Sequence, residues 1–149
     1  DDVAPIGLKT DFVTATQDHP ERLAPLFAPQ EGVAVYKIDG EELSFRVGRY
    51  SFYNWWREQL SMMANGIMPE VLWRNRDRAE VRKLPFYLLI DFSDCSGAIG
   101  ATAARILAQE FAQFHPQADQ HPDDDFRDVY AEFRTAFELA SFDGFVKFT

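Results

Sequence analysis

Residues 33–47 constrain the fold of this chain more than any other stretch. Val33-Ala34-Val35-Tyr36-Lys37-Ile38 and Glu41-Glu42-Leu43-Ser44-Phe45-Arg46-Val47 flank Asp39-Gly40, and together they read as a β-hairpin. Asp-Gly supplies the positive φ angles of a two-residue type I′ turn, and Leu43, Phe45 and Val47 alternate with Glu42, Ser44 and Arg46, so one face is buried and one is wet. A lone hairpin is marginal in water, so the rest of the chain must bring a third strand or a helix against it.

The apolar spacing downstream supplies both. Within residues 52–66, Phe52, Trp56, Leu60 and Met63 recur at helical spacing with Trp55 and Gln59 flanking, while Asn54, Arg57, Glu58 and Ser61 are expected to face water. Ser51 is the expected N-cap, and Gly66 stands where a left-handed C-terminal residue is wanted. Residues 101–114 carry Ile106, Leu107, Phe111 and Phe114 among alanines, and His115-Pro116 is expected to end that helix. Asp123-Asp124-Asp125 then opens a last helix whose apolar face is Phe126, Val129, Tyr130, Phe133, Phe137 and Leu139-Ala140. After Asp143-Gly144, residues 145–148 read as a strand beside the hairpin.

Two segments are less regular. Residues 1–32 hold Pro5, Pro20, Pro25 and Pro29 and no sustained period, which predicts an irregular arm draped over the core. Pro69 is expected to open a short helix reaching Trp73, followed by a surface excursion in which Arg74, Arg76, Arg78, Arg82 and Lys83 are interrupted by Asp77 and Glu80. That run is either a solvated, internally paired face or an anion site formed by Arg74, Arg76, Arg78 and Arg82.

Between these parts lies an apolar run, Leu84-Pro85-Phe86-Tyr87-Leu88-Leu89-Ile90, that breaks into Asp91-Phe92-Ser93-Asp94-Cys95-Ser96-Gly97. Its length suits a buried strand or a helical turn, and Pro85 at a first helical position favours the helix. Cys95 could act as a nucleophile beside Asp91 and Asp94, but it needs a base, and His19, His115 and His121 are all remote in sequence. A buried structural thiol is the plainer reading. Ser93, Asp94 and Ser96 suit capping of the loop and of the following helix, while Gly97 and Gly100 allow backbone angles that side chains forbid. His115 and His121, with Asp119 and Asp123, have the ligand chemistry of a divalent metal site without its spacing.

In the same region the chain resembles a family of uncharacterised bacterial and phage-associated proteins. The blocks that carry the resemblance are Gly48-Arg49-Tyr50-Ser51-Phe52-Tyr53-Asn54-Trp55-Trp56-Arg57, Pro85-Phe86-Tyr87 with Leu89-Ile90, and Phe92-Ser93-Asp94-Cys95 with Gly97 and Ile99-Gly100. They are similar to that family's G-S-Y-S-x-[YF]-x-x-W-R and P-F-x-E-L-I-x-F-S-D-C-E-G-x-I-G blocks. Leu88 and Ser96 stand where the family often has Glu. The resemblance covers roughly residues 33–149 and implies a shared fold; it implies no activity.

Composition narrows the function classes. With 149 residues, 46% of them hydrophobic and 14 of them Phe, the chain suits one domain (1–149) with an aromatic core. A net charge of −9 disfavours nucleic acid and anionic lipid and favours a basic protein partner. One cysteine excludes an internal disulfide, and the absence of a long apolar run argues against a membrane span, so a cytoplasmic setting is expected. The expected fold is α+β: a small antiparallel sheet made of the 33–47 hairpin and the 145–148 strand, covered by three or four helices. The expected function is a non-enzymatic interaction module without a cofactor, of the immunity or antitoxin kind, binding a basic partner; the alternative is a small hydrolase or transferase centred on Cys95.

Overall fold

Thr10-Asp11-Phe12-Val13-Thr14-Ala15-Thr16 is rich in β-branched residues, and it forms the first strand of the sheet, β1 (Thr10–Thr16). A computed structural model describes residues 10–16, 42–92 and 97–148. From β1 the described chain runs through β2 (Glu42–Arg49), α1 (Tyr50–Asn65), α2 (Pro69–Arg74), α3 (Ala79–Arg82), α4 (Tyr87–Ile90) and β3 (Gly97–Gly100). It continues through α5 (Ala101–Gln113), α6 (His115–Asp119), α7 (Asp124–Ala140) and β4 (Phe145–Phe148). The fold class is α+β, and three helices longer than two turns, α1, α5 and α7, cover the sheet among the described residues.

The sheet is antiparallel with order β2-β1-β4-β3, so two expectations are corrected. Residues 10–16 are not part of an irregular arm: they lie inside the sheet, with Val13 opposite Phe45 of β2 on one side and Phe148 of β4 on the other. The segment lacks a sustained alternation of its own, and its strand state comes from hydrogen bonding to two partners remote in sequence. The 145–148 segment is a strand as expected, but β1 separates it from β2. Residues 42–47 of the expected hairpin are strand, whereas residues 33–38 and the Asp39-Gly40 turn lie outside the described residues.

The 97–100 stretch also departs from the loop expected there. It pairs with β4 over Gly97↔Phe148 to Gly100↔Phe145, and α5 begins directly after it. Gly97 has φ +110°, and a Cβ there would lie 2.9 Å from the Phe92 ring, so this glycine is required. Gly100 has an ordinary extended backbone and open space around it, contrary to the expectation that it needs glycine.

α1 starts two residues earlier than expected: Arg49 occupies the N-cap position without a side-chain bond, and Ser51 lies inside the helix. Gly66 ends it in the left-handed region, as its position implies. Its buried face is Tyr53, Trp56, Arg57, Leu60 and Ser61, while Phe52 and Met63 are only half-buried. Arg57 and Ser61 therefore face inward rather than to water. Backbone carbonyls receive both, since Ser61 Oγ donates to Ile67 O at 2.5 Å and Arg57 donates to residues 90 and 92.

The core is aromatic. Phe133 of α7 lies 4.9 Å from Trp56, 5.2 Å from Phe45 and 5.9 Å from Phe137 between ring centroids, joining α1, β2 and α7. Tyr130 buries its ring against Phe111 at 4.7 Å and donates its hydroxyl to Phe111 O at 2.7 Å. Asp123 caps α7 by accepting the Phe126 N–H at 2.9 Å, which agrees with the acid-rich helix start.

The 84–91 stretch is helical, but only for the single turn of α4. Pro85 does not open it: Phe86 occupies the N-cap position with φ 64°, a left-handed conformation unusual for a residue with a side chain. Two features hold Phe86 there. Its ring is fully buried, 4.9 Å from Phe111, and its N–H donates to Glu110 Oε1 at 2.9 Å.

Candidate functional site

α1 and α2 are joined by a short turn, and between them lies a cleft of about 380 Å³ lined by Asn54, Arg57, Glu58, Pro69, Glu70 and Trp73. Helical spacing puts Asn54 and Glu58 one turn apart on α1, and Pro69, Glu70 and Trp73 come from the single long turn of α2.

Arg57 forms the floor. It is only 5% exposed, donates from Nη1 to Ile90 O at 3.1 Å and Phe92 O at 2.8 Å, and from Nη2 to Asn54 Oδ1 at 2.6 Å. Its guanidinium carbon lies 4.8 Å from the Tyr53 ring centroid and 5.8 Å from that of Trp73. Trp73 Nε1 donates to the same Ile90 carbonyl at 3.1 Å. One arginine and one indole thus fix the end of α4 to α1 and α2. Above them, Glu58 and Glu70 form no hydrogen bond or ion pair among the described residues. Two carboxylates and one guanidinium, which donates to the neutral acceptors Ile90 O, Phe92 O and Asn54 Oδ1, thus line the cleft together beside an indole.

The residues singled out in the sequence scatter. Asp91 lies at the end of α4, accepting from Arg76 Nη2 at 2.8 Å and from the Tyr87 hydroxyl at 3.0 Å. Burial, then the Asp91 carboxylate, raises the Tyr87 phenol above its ordinary pKa. Asp94 and Cys95 lie outside the described residues. In the basic run, Arg76 is paired with Asp91, Arg78 pairs with Glu80 at 3.3 Å, and Arg82 donates to Arg76 O at 2.7 Å. Arg74 is exposed at the end of α2. Of the run's cations, Arg78 is thus paired within it and Arg76 outside it, and exposed pairs of this kind contribute little to stability.

His115 and His121 do not converge on a metal. His115 is exposed, whereas both ring nitrogens of His121 are occupied: Nδ1 accepts the Asp123 N–H at 3.1 Å, which leaves Nε2 to donate to Gln59 Oε1 at 2.8 Å. The ring stacks on Phe126 at 4.1 Å, and burial lowers its pKa. No group of three or more His, Cys, Asp or Glu side chains among the described residues is placed to hold a metal ion. No described helix is long and apolar enough to cross a membrane.

Sequence reasoning passed over Asn54, Arg57, Glu58, Glu70 and Trp73 as site residues. The available signal was Arg57 itself, set between the core positions Trp56 and Leu60 of an aromatic helix.

Glu110 is the described carboxylate whose environment acts most plainly against its charge. Burial raises its pKa, and the Phe86 N–H opposes that only in part. A carboxyl whose folded-state pKa lies above its unfolded value contributes most at acid pH, and the contribution falls as pH rises through the folded pKa. Glu110→Gln keeps an acceptor for Phe86 and removes the buried charge. It is expected to raise the melting temperature at pH 7 while leaving it unchanged at pH 4; Glu110→Ala, which orphans the Phe86 N–H, is expected to lower it at both.

No family model, curated protein or solved structure matches the chain.

Proposed function

We propose that this chain is a non-enzymatic interaction module that binds a basic partner protein through the α1–α2 cleft, a lysine or arginine side chain entering between Glu58, Glu70 and the Trp73 ring. An immunity or antitoxin-like role, masking a basic effector, is the concrete form of this reading, and the resemblance to short bacterial and phage-associated proteins is consistent with it. The observation that carries it is the pair of carboxylates beside an indole in the cleft, without a partner among the described residues, in a chain whose net charge of −9 speeds encounter with a basic surface. The alternative, a small hydrolase or transferase centred on Cys95, concerns a residue outside the described ones; of its candidate partners, Asp91 accepts from Arg76 and Tyr87, and both nitrogens of His121 are engaged.

The test is titration with a peptide of alternating lysine and serine, followed by calorimetry at two salt concentrations. Binding is expected to weaken with salt, and the double variant Glu58→Gln/Glu70→Gln is expected to weaken it about tenfold, the effect of about 1.4 kcal/mol. Asp128→Asn/Glu132→Gln removes the same charge from the exposed face of α7 and controls for the global field. Equal losses in the two double variants would refute the cleft as the site.

A further inference from the structure

His121 joins α6, α1 and α7 through bonds that require an uncharged ring. Its backbone N–H donates to Ala118 O of α6 at 3.1 Å, its Nε2 donates to Gln59 Oε1 of α1 at 2.8 Å, and its Nδ1 accepts the Asp123 N–H at 3.1 Å. A backbone N–H can only donate, so Nδ1 must be bare, and the tautomer is fixed. The ring lies on Phe126 at 4.1 Å and edge-on to Trp55 of α1 at 6.3 Å between centroids. Asp123 acts a second time at the same place, because its carboxylate caps α7 by accepting the Phe126 N–H at 2.9 Å. Phe126 in turn offers its carbonyl to Trp56 Nε1 of α1 at 3.1 Å. The start of α7 is thus fastened to α1 beside one titratable side chain.

We propose that His121 is a pH-sensitive clasp between α1 and the start of α7, closed while its ring is neutral and opened by a proton at Nδ1. Protonation sets two donors, Nδ1–H and the Asp123 N–H, against each other and takes from the Asp123 N–H the acceptor it has. Relief requires the ring or the Asp123 backbone to move, which disturbs the Phe126 stack or the α7 cap. Two charges of α7 and the turn before it bear on the ring: Asp123 favours the proton, and Arg127, which donates to His121 O and to Asp124, opposes it. The α1 groups in contact, Gln59 and Trp55, are uncharged. Burial, the largest influence, also disfavours the charged ring, so the folded chain takes up this proton below the ordinary histidine pKa. The unfolded chain binds it more readily, and the clasp therefore holds in full above about pH 6.5 and is lost as pH falls through the folded-state pKa.

The test is a nuclear magnetic resonance titration of the full chain from about pH 8 to about pH 5, reading the imidazole nitrogens and amide hydrogen exchange. The His121 ring is expected as the Nε2–H tautomer at the alkaline end and to gain its second proton below about pH 6.5. Over the same interval the exchange protection of the Asp123 and Phe126 amides, corrected for the intrinsic effect of pH, is expected to fall by up to about tenfold per pH unit, while the Leu107 amide of α5 keeps its protection. His121→Gln removes the titrating group, so the melting temperature of the native chain relative to this variant is expected to fall as the solution is acidified. A ring that protonates at or above about pH 6.5, protection of Asp123 and Phe126 that does not follow the ring, or a melting-temperature difference that is the same at both ends of the range would each overturn the proposal. The titration of the native chain decides by itself if His121→Gln does not fold.

Discussion

Phe133→Ala is expected to lower the free energy of unfolding by about 3–5 kcal/mol, the range for removing a buried ring whose site cannot collapse. Collapse is blocked because Phe133 is packed from several directions at once: Trp56 and Tyr53 of α1, Phe45 of β2, Phe137 of its own helix and Phe148 of β4 all lie within ring-contact distance. These neighbours are anchored on different elements, so none can move into the gap without disturbing another contact. Against a total stability of roughly 5–15 kcal/mol for a domain, the loss is large. At about 2–4 °C per kcal/mol for a chain of this size, it appears as a fall of roughly 10 °C in melting temperature. Phe133→Leu keeps most of the volume and is expected to cost much less. Similar midpoints for the two variants in chemical denaturation would show that the ring cluster is not the centre of the core.

Arg57→Met is expected to cost about 3 kcal/mol, because a hydrogen bond from a charged donor contributes about 1.5–3 kcal/mol and Arg57 makes such bonds to two carbonyls. Trp73 still serves Ile90 O in the variant, but Phe92 O loses the donor that Arg57 supplies. Methionine fills much of the space under the cleft, so the loss reports the missing bonds more than a cavity. Arg57→Lys is expected to recover less than half, since a single ammonium cannot reproduce the planar fork that reaches both carbonyls and lies over Tyr53. Denaturant midpoints check this, and a loss below about 1 kcal/mol for Arg57→Met would contradict the role assigned to the guanidinium. The same variant removes a positive charge from the floor of the cleft, so any cation binding there is expected to be maintained or strengthened while stability falls. Glu58→Gln and Glu70→Gln, set on the rim, should separate the two effects.

The parts of the fold that were legible in the sequence are those whose signal is local. The helical spacing of 101–114 and of the segment after Asp123 places α5 and α7 to within a residue or two, and Asp123 caps α7 as an acid at that position should. Gly66 and Pro69 punctuate α1 and α2 where their backbone chemistry requires. By contrast, β1 and β3 were read as arm and loop, because four to seven residues with two glycines or scattered threonines carry no sustained alternation. Their state comes from β4, which pairs with both and lies more than half the chain away from β1.

The site followed the same division. Arg78 pairs with Glu80 inside the basic run, but the partner of Arg76 is Asp91, outside it. The cleft was not legible, because its walls come from two helices and its floor from an arginine that helical periodicity assigned to water. An amphipathic pattern ranks residues by hydrophobicity alone, and it cannot register that the carbonyls of Ile90 and Phe92 would arrive beside α1 and make burial of a guanidinium favourable. The amino-acid sequence by itself determined the long helices, the Gly66 end of α1, the Asp123 cap of α7 and the C-terminal strand, all properties of neighbouring residues. Only the tertiary structure decided the strand order, the inward turn of Arg57 and the joining of Glu58 to Glu70, because each depends on hydrogen-bonding groups that become neighbours only when distant segments pack.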